Sequence, residues 1–381
     1  MQSSKIGQMI RQSDGYSAFS PNPFPPVKGF ELSPALNMKH EEATRLVGKL
    51  DGVCKLLPDR DFFILMFIKK DATDSSQIEG TQASFYDAIQ SEIAHGSESG
   101  APDVDDIIHY IAAVRLAMKR VEKIPLSWRL LKEVHKELMS DARATHHAFP
   151  GEFRTSQNWI GSRTLEKASY IPPAVHDMKA SLSDLEKFMH SQGSIPHLYK
   201  AGLIHAQFET IHPFVDGNGR TGRMLISLYL RHVGLLEEPI LYLSSYFNAH
   251  RKHYYDALAK YHDATNGVEE WLDFFLDAVI STSQSCIKTC TKIVDLREKT
   301  SFEISKLAKR ESESTANIVR NLYKQPIIDS STIMEWTGFT RPGAIGAIER
   351  LTKMGILETF DEVTYGKRYI FKKYVDLFTK E

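Results

Sequence analysis

Residues 212–223 read His-Pro-Phe-Val-Asp-Gly-Asn-Gly-Arg-Thr-Gly-Arg and gather an imidazole, a carboxylate, two guanidinium groups and three glycines. Gly217 and Gly219 let backbone N–H groups come close to an anion. If this loop opens a helix, the first N–H groups have no intrahelical partner and the helix dipole favours negative charge. Arg220 and Arg223 add charge-assisted contacts. Asp216 would repel a bare phosphate and makes sense only where a divalent cation bridges the two. His212 can take a proton from an attacking hydroxyl. Anion cradle, metal ligand, charge clamp and base are the parts of a phosphoryl- or nucleotidyl-transfer site. Taken singly, each residue has a plainer use as a cap, an Asx-turn or a solvated charge. Their density argues for a site.

The flanks fix the setting. Leu198, Ala201, Ile204, His205, Phe208 and Ile211 recur at spacings of three and four, and Leu225, Ile226, Leu228, Tyr229 and Val233 do the same downstream. The stretch is therefore a helix–loop–helix junction. Gly217, Gly219 and Gly222 formally match the dinucleotide fingerprint, but that fingerprint needs a strand before it, and here a helix precedes. No Gly-Lys-Ser/Thr follows, so it is not a P-loop.

Around this junction the chain reads as mainly α. Prolines between 14 and 40 predict an extended arm. Helical spacing runs from Ala43 to Leu57, Pro58 breaks it, and a second helix starts near Arg60 and stops at Gly80. Residues 91–106 read as a loop with an acidic end. Helices follow over about 103–122 and 126–140. Residues 150–175 carry scattered glycines, β-favouring residues and a Pro-Pro stop, and predict a short hairpin or flap. Helices dominate from 176 to 298. Residues 332–378 outline a winged helix-turn-helix, with Thr340 as N-cap, Pro342 in the first turn of the second helix and Gly366 near a hairpin turn.

The motif resembles the Fic family signature, H-x-F-x-[DE]-G-N-G-R-x-x-R, at every fixed position: His212, Phe214, Asp216, Gly217, Asn218, Gly219, Arg220 and Arg223. The resemblance implies transfer of AMP from ATP to a hydroxyl side chain of a protein, with release of pyrophosphate. It makes His212 the general base and Asp216 the ligand of a magnesium ion. It gives Gly217, Asn218 and Gly219 the anion hole and Arg220 and Arg223 the ATP phosphates. Residues 151–173 look like the family's flap, where a target protein docks by strand addition. Asn248 and Tyr254 or Tyr255 are candidates for the adenine pocket. His250 and His253 lack the acidic partner of a usual zinc site.

A second motif resembles the family's inhibitory sequence, [ST]-x-x-x-E-[GN], at Ser75, Glu79 and Gly80. It implies that Glu79 pairs with Arg223 and places a negative charge where the ATP γ-phosphate belongs. In some relatives the same glutamate positions a water that removes AMP, so a de-AMPylating reaction is the alternative. The implied fold is a Fic-type helical core with a small β-hairpin flap and a C-terminal winged helix-turn-helix. Its boundaries fall at 1–110 for the arm and inhibitory helices, 111–275 for the catalytic core, 276–300 for a connecting helix and 301–381 for the winged helix.

The bulk numbers exclude other classes. Net charge is -1, so nothing draws the whole chain to nucleic acid or an anionic membrane. In residues 301–381, 13 Lys and Arg face 11 Asp and Glu, a weak footprint for DNA. Arg341, Arg350 and Lys353 on the second helix, with Lys367 and Arg368 on the wing, leave a nucleotide-sensing DNA-binding regulator as a less favoured alternative. Docking on the chain's own core, on a second copy in a homodimer or on a target protein is the favoured use of the tail. Cys54, Cys286 and Cys290 form no disulfide framework and suit a reducing compartment. The N-terminus lacks a signal-peptide core, and the longest apolar run, 62–68, is too short to span a bilayer. The expectation is a cytoplasmic enzyme with no membrane partner.

Overall fold

The computed structural model describes residues 6–25, 33–55, 57, 60–90, 102–140, 149–193, 195–263, 266–363 and 366–379. The chain enters through an antiparallel hairpin, β1 (Gly7–Arg11) and β2 (Ser17–Pro21), with Gly7 opposite Pro21. Next comes α1 (Pro34–Lys55), where the Ser33 hydroxyl accepts from the Leu36 N–H and proline takes the first helical position. Then come α2 (Arg60–Ile78), α3 (Phe85–Gln90), α4 (Pro102–Val121) and α5 (Trp128–Leu138). A long irregular segment leads to α6 (Val175–His190), α7 (His197–Ile211) and α8 (Asn218–His232). After α9 (Ser244–Ala249) and α10 (Arg251–Asp263), α11 (Gly267–Ser305) crosses the molecule as one unbroken helix.

The core sits around α7. From Leu198 to Ile211 every residue of this helix is buried except the half-buried Glu209. A helix apolar all round belongs at the centre, wrapped by amphipathic neighbours. Here α6, α8, α10 and α11 supply the wrapping. Trp271 of α11 is fully buried and donates its indole N–H to the Gly202 carbonyl at 2.8 Å. The helix α2 is buried too, including its polar Lys69, Asp71, Thr73, Asp74, Ser75 and Ser76. Buried polar groups require partners. Asp74 finds Lys70 at 2.6 Å and the Ser245 hydroxyl, and Asp71 accepts from the Tyr110 hydroxyl at 2.5 Å.

The C-terminal part runs α12 (Lys309–Leu322), β3 (Ile327–Ile328), α13 (Ser330–Thr337), α14 (Arg341–Lys353), β4 (Glu358–Val363), β5 (Gly366–Ile370) and α15 (Lys372–Thr379). Its antiparallel sheet has the order β3-β5-β4. A helix-turn-helix followed by a hairpin is the element order of a winged helix-turn-helix. This unit rests on the N-terminal helices. Phe378 meets Phe67 edge-on at 5.1 Å and Phe85 at 6.1 Å, and Tyr374 meets Phe63 at 6.1 Å.

Several expectations change. The arm is not simply extended: Pro34 to His40 are helical, and part of it is the β1–β2 hairpin. The hairpin's anchor is distant in sequence, since the Phe19 N–H donates to the Ile171 carbonyl at 2.9 Å. The flap closes through a single bridge, Ile160 with Tyr170, around a 3-10 turn at Leu165–Lys167. The boundaries at 110/111 and 275/276 fall inside α4 and α11, whose apolar faces run on without interruption. Thr340 precedes α14 in extended conformation, but its hydroxyl caps nothing. Pro58 and the loop at 91–101 lie outside the described residues.

Truncating Phe378 to alanine should cost about 3 kcal/mol, the usual range for a buried aromatic. Urea unfolding of the full chain would register it, and an unchanged midpoint would contradict docking through α15.

Candidate active site

The helix α7 ends at His212, which takes the left-handed conformation with φ 48°. That region is uncommon for a residue other than glycine, so the surroundings must hold it there. The His212 carbonyl accepts from Arg154 Nε at 3.0 Å and Asn158 Nδ2 at 3.3 Å. Arg154 is buried and also reaches the carbonyls of Ser156, Pro173 and Ile211. One guanidinium therefore ties both ends of the flap to the catalytic turn.

Phe214 anchors the loop and is fully buried. Its N–H donates to Asn218 Oδ1 and its carbonyl accepts from Asn218 Nδ2, both at 2.9 Å. The Asn218 side chain is thus a brace within the loop, and only its backbone remains for an anion. The His135 ring stacks on Phe214, centroids 3.7 Å apart and nearly parallel. Its Nδ1 accepts from the Gly151 N–H, so Nε2 carries the proton and donates to the Asp216 carbonyl, each at 2.9 Å. Burial lowers the pKa of this histidine to about 4, which keeps it neutral for that role. Gly217 has φ 75° and starts α8, and a Cβ there would meet Met139 Sδ at 2.8 Å.

The His212 ring is largely enclosed, and burial pushes its pKa down to about 4. A neutral imidazole at neutral pH is able to accept a proton. Glu209, one turn earlier, places Oε2 at 3.8 Å from His212 Nδ1, and burial raises its pKa to about 8. Asp216 is exposed, with Oδ1 accepting from the Gly217 N–H at 2.6 Å.

Arg223 faces α2. Its Nε donates to Ser75 Oγ at 2.8 Å, and its Nη2 donates to the Ser75 carbonyl at 2.9 Å and to Glu79 Oε1 at 2.7 Å. The guanidinium side chain is 2% exposed, whereas Glu79 is 37% exposed. Burial alone would raise the Glu79 carboxyl pKa, but the charge and hydrogen bond of Arg223, with Arg220 and His212 behind, outweigh it and the net shift is downward. The carboxylate lies over the start of α8. A Cβ on Gly219 would come within 2.2 Å of Glu79 Oε1. Gly80 follows with φ 103°, which lets the chain leave α2 just after the glutamate.

The remaining candidates separate. Arg220 is buried, with Nη1 at 3.5 Å from Asp106 Oδ1 and Nη2 at 3.6 Å from Met139 Sδ. Asn248 donates to Gln77 Oε1 at 3.0 Å, and the Tyr255 hydroxyl reaches the Ile78 carbonyl at 3.4 Å, so both adjoin the end of α2. Tyr254 lies in the core: it is 1% exposed, and its hydroxyl shares a hydrogen bond with His205 Nε2 at 2.9 Å. His135 and Arg154 escape a reading of the sequence. Each is one polar residue in an ordinary segment, and apart from the Ser156 carbonyl near Arg154 its partners lie 16 to 81 positions away.

A histidine-tipped helix, a glycine-rich helix start and a flap tied between them form one helical domain. Residues 125–230 match the model of the Fic/DOC family and residues 37–119 that of the Fic/DOC family N-terminal region, so the chain carries a Fic/DOC domain together with that family's N-terminal region. Among curated proteins it is similar to "Protein adenylyltransferase Fic" of Drosophila melanogaster, 32% identical over 134 residues, covering 32% of this chain and 25% of that protein. The Drosophila erecta protein of the same name is 31% identical, covering 32% and 24%. The chain thus matches about a quarter of the length of these relatives. Among solved structures, a Fic family protein from Desulfovibrio desulfuricans superposes with TM-score 0.57 at 17% identity, covering 90% of this chain and 98% of that one. Fic-1 from C. elegans gives TM-score 0.51 at 20% identity, covering 68% and 74%. The structural likenesses establish the fold.

Replacing Asn218 by alanine would strand the N–H of buried Phe214, while its carbonyl keeps Asn158 Nδ2 at 3.0 Å. We expect a loss of about 2 kcal/mol, read by urea denaturation. Wild-type stability in that variant would mean the brace is dispensable.

Proposed function

We propose that this chain is a self-inhibited protein adenylyltransferase, moving AMP from ATP to a hydroxyl side chain of a protein. The observation that carries the reading is the Glu79 carboxylate, which pairs with Arg223 and lies over Gly219 at the start of α8. An anion already stands where an anion-holding helix start and a buried arginine converge. It repels a phosphate in the same place and occupies the arginine that would hold it.

With Glu79 displaced, Arg223 and the first N–H groups of α8 hold the ATP phosphates. His212 takes the proton of the target hydroxyl. That oxygen attacks the α-phosphorus, the bond from the α-phosphorus to the bridging oxygen breaks, and pyrophosphate leaves. Asp216 fits a magnesium ion: a single exposed hard oxygen donor beside the helix start, with Oδ1 engaged by Gly217 and Oδ2 remaining. Bound there, the ion would offset phosphate charge. Asn248 and Tyr255, at the end of α2, are our candidates for the adenine side. The target segment docks against the flap, where the exposed Trp159 and, on the loop, Val215 flank the approach to His212.

A DNA-binding regulator is disfavoured by the tail's own charges. Arg350 pairs with Glu311 at 3.0 Å, and Arg368 is held by Asp361 and lies over the Phe360 ring. The three cysteines are free and buried, which suits a cytoplasmic setting. Among the described residues no helix is long and apolar enough to cross a membrane.

Glu79→Gly should raise AMP incorporation into protein from α-labelled ATP by at least about tenfold, and adding His212→Ala should abolish it. Intact-mass spectrometry reads both. Equal labelling in wild type, Glu79→Gly and the double variant would end this proposal. The pH profile offers a further check. His212 stays neutral as pH falls through 6.5 and becomes charged near 4. The acidic limb of kcat/KM in Glu79→Gly should therefore lie closer to pH 4 than to 6.5, and a limb at 6.5 would rule out a buried histidine base.

A further inference from the structure

Glu79 supplies one of the three hydrogen bonds that hold Arg223, and Ser75 supplies the other two. Ser75 is fully buried and its Oγ accepts from Arg223 Nε, so its own proton points elsewhere. One turn earlier on α2, Asp71 Oδ2 accepts from the hydroxyl of Tyr110 on α4 at 2.5 Å. Tyr110 is 0% exposed and Asp71 5%. Two buried hydrogen-bonded pairs thus sit next to each other along α2, Ser75 with Arg223 and Asp71 with Tyr110, and neither has water as a substitute.

These residues are spaced for a purpose. Asp71 and Ser75 stand one turn apart on one face of α2, and Glu79 follows directly after the end of the helix. Tyr110 comes from α4 and Arg223 from α8. The two pairs therefore join three helices just before Glu79. Burial raises the Asp71 pKa to about 6 while Ser244 and Tyr110 pull it back, which marks how enclosed this anchor is. Withdrawing Glu79 by moving the end of α2 would strain the contacts of Ser75 first.

We propose that Tyr110 and Asp71 are positioning residues that latch α2 in its inhibiting place, so that Glu79 stays on Arg223 only while this contact between α4 and α2 is intact. The proposal rests on the reading that ATP requires Arg223. Release of the brake then means disengaging α2 from α4, not a swing of one glutamate side chain.

The test measures ATP affinity in the presence of magnesium by isothermal titration calorimetry, on full-length protein checked for folding by circular dichroism. Tyr110→Phe removes the donor to Asp71 with little change of shape. It should tighten ATP about fivefold relative to wild type, the effect of losing about one buried hydrogen bond from the inhibited state. In a Glu79→Gly background the same change should add nothing, since no brake remains to loosen. Asp71→Asn, which keeps an acceptor for Tyr110 but loses its charge, should fall between wild type and Tyr110→Phe and serves where the tyrosine variant does not fold. Wild-type affinity in Tyr110→Phe and Asp71→Asn, beside tighter binding in Glu79→Gly, would overturn the latch. Equal tightening by Tyr110→Phe in both backgrounds would overturn it too. Failure of the proposed function looks different: Glu79→Gly would bind ATP tightly and yet transfer no AMP.

Discussion

A guanidinium that is 2% exposed needs partners in place of water, and Arg223 has a carboxylate among them. Removing one partner of a buried ion pair leaves a charge that neither water nor apolar neighbours can stabilise. In the structure that partner is Glu79, carried by a helix that belongs to a different part of the chain, 144 positions earlier. A phosphate is the natural replacement, because it offers the same charge at the same helix start. On the function proposed above, competition between two anions for one cation would couple nucleotide binding to the position of α2.

The composition of α2 is unusual for a buried helix. Its buried face carries Asp71, Asp74 and Ser75, residues that rarely lie in a core unless each has a partner. Tyr110, Lys70, Ser245 and Arg223 provide those partners, from α4, α8, α9 and α2 itself. At its other end the helix meets α15 through Phe63 and Phe67 against Tyr374 and Phe378. The same helix thus touches the C-terminal unit at one end and leads to Glu79, the partner of Arg223, at the other.

The catalytic turn relies on a second set of buried polar contacts. His212 holds a left-handed backbone that its side chain does not favour, and Arg154 with Asn158 stabilise it from the flap. His135 braces the opposite side by linking Gly151 to the Asp216 carbonyl. The flap has almost no strand ladder of its own, so these side chains give it shape.

The sequence by itself determined the local chemistry. The spacing of His212, Asp216, Gly217, Gly219 and Arg223, between two apolar-periodic helices, fixes a helix–loop–helix anion site because cap geometry and the helix dipole act within one turn. The same local rules located the end of α2 at Gly80 and the order of helices and hairpin in the tail. The tertiary structure decided the rest. It turned the Asn218 side chain inward, sent Tyr254 into the core and left Tyr255 near the site, since two adjacent tyrosines on a helix differ only in which face the neighbours cover. It also recruited Arg154, His135, Tyr110 and Asp71, whose partners are mostly remote in sequence. A residue buried for a distant partner looks like any other polar residue until the chain closes around it.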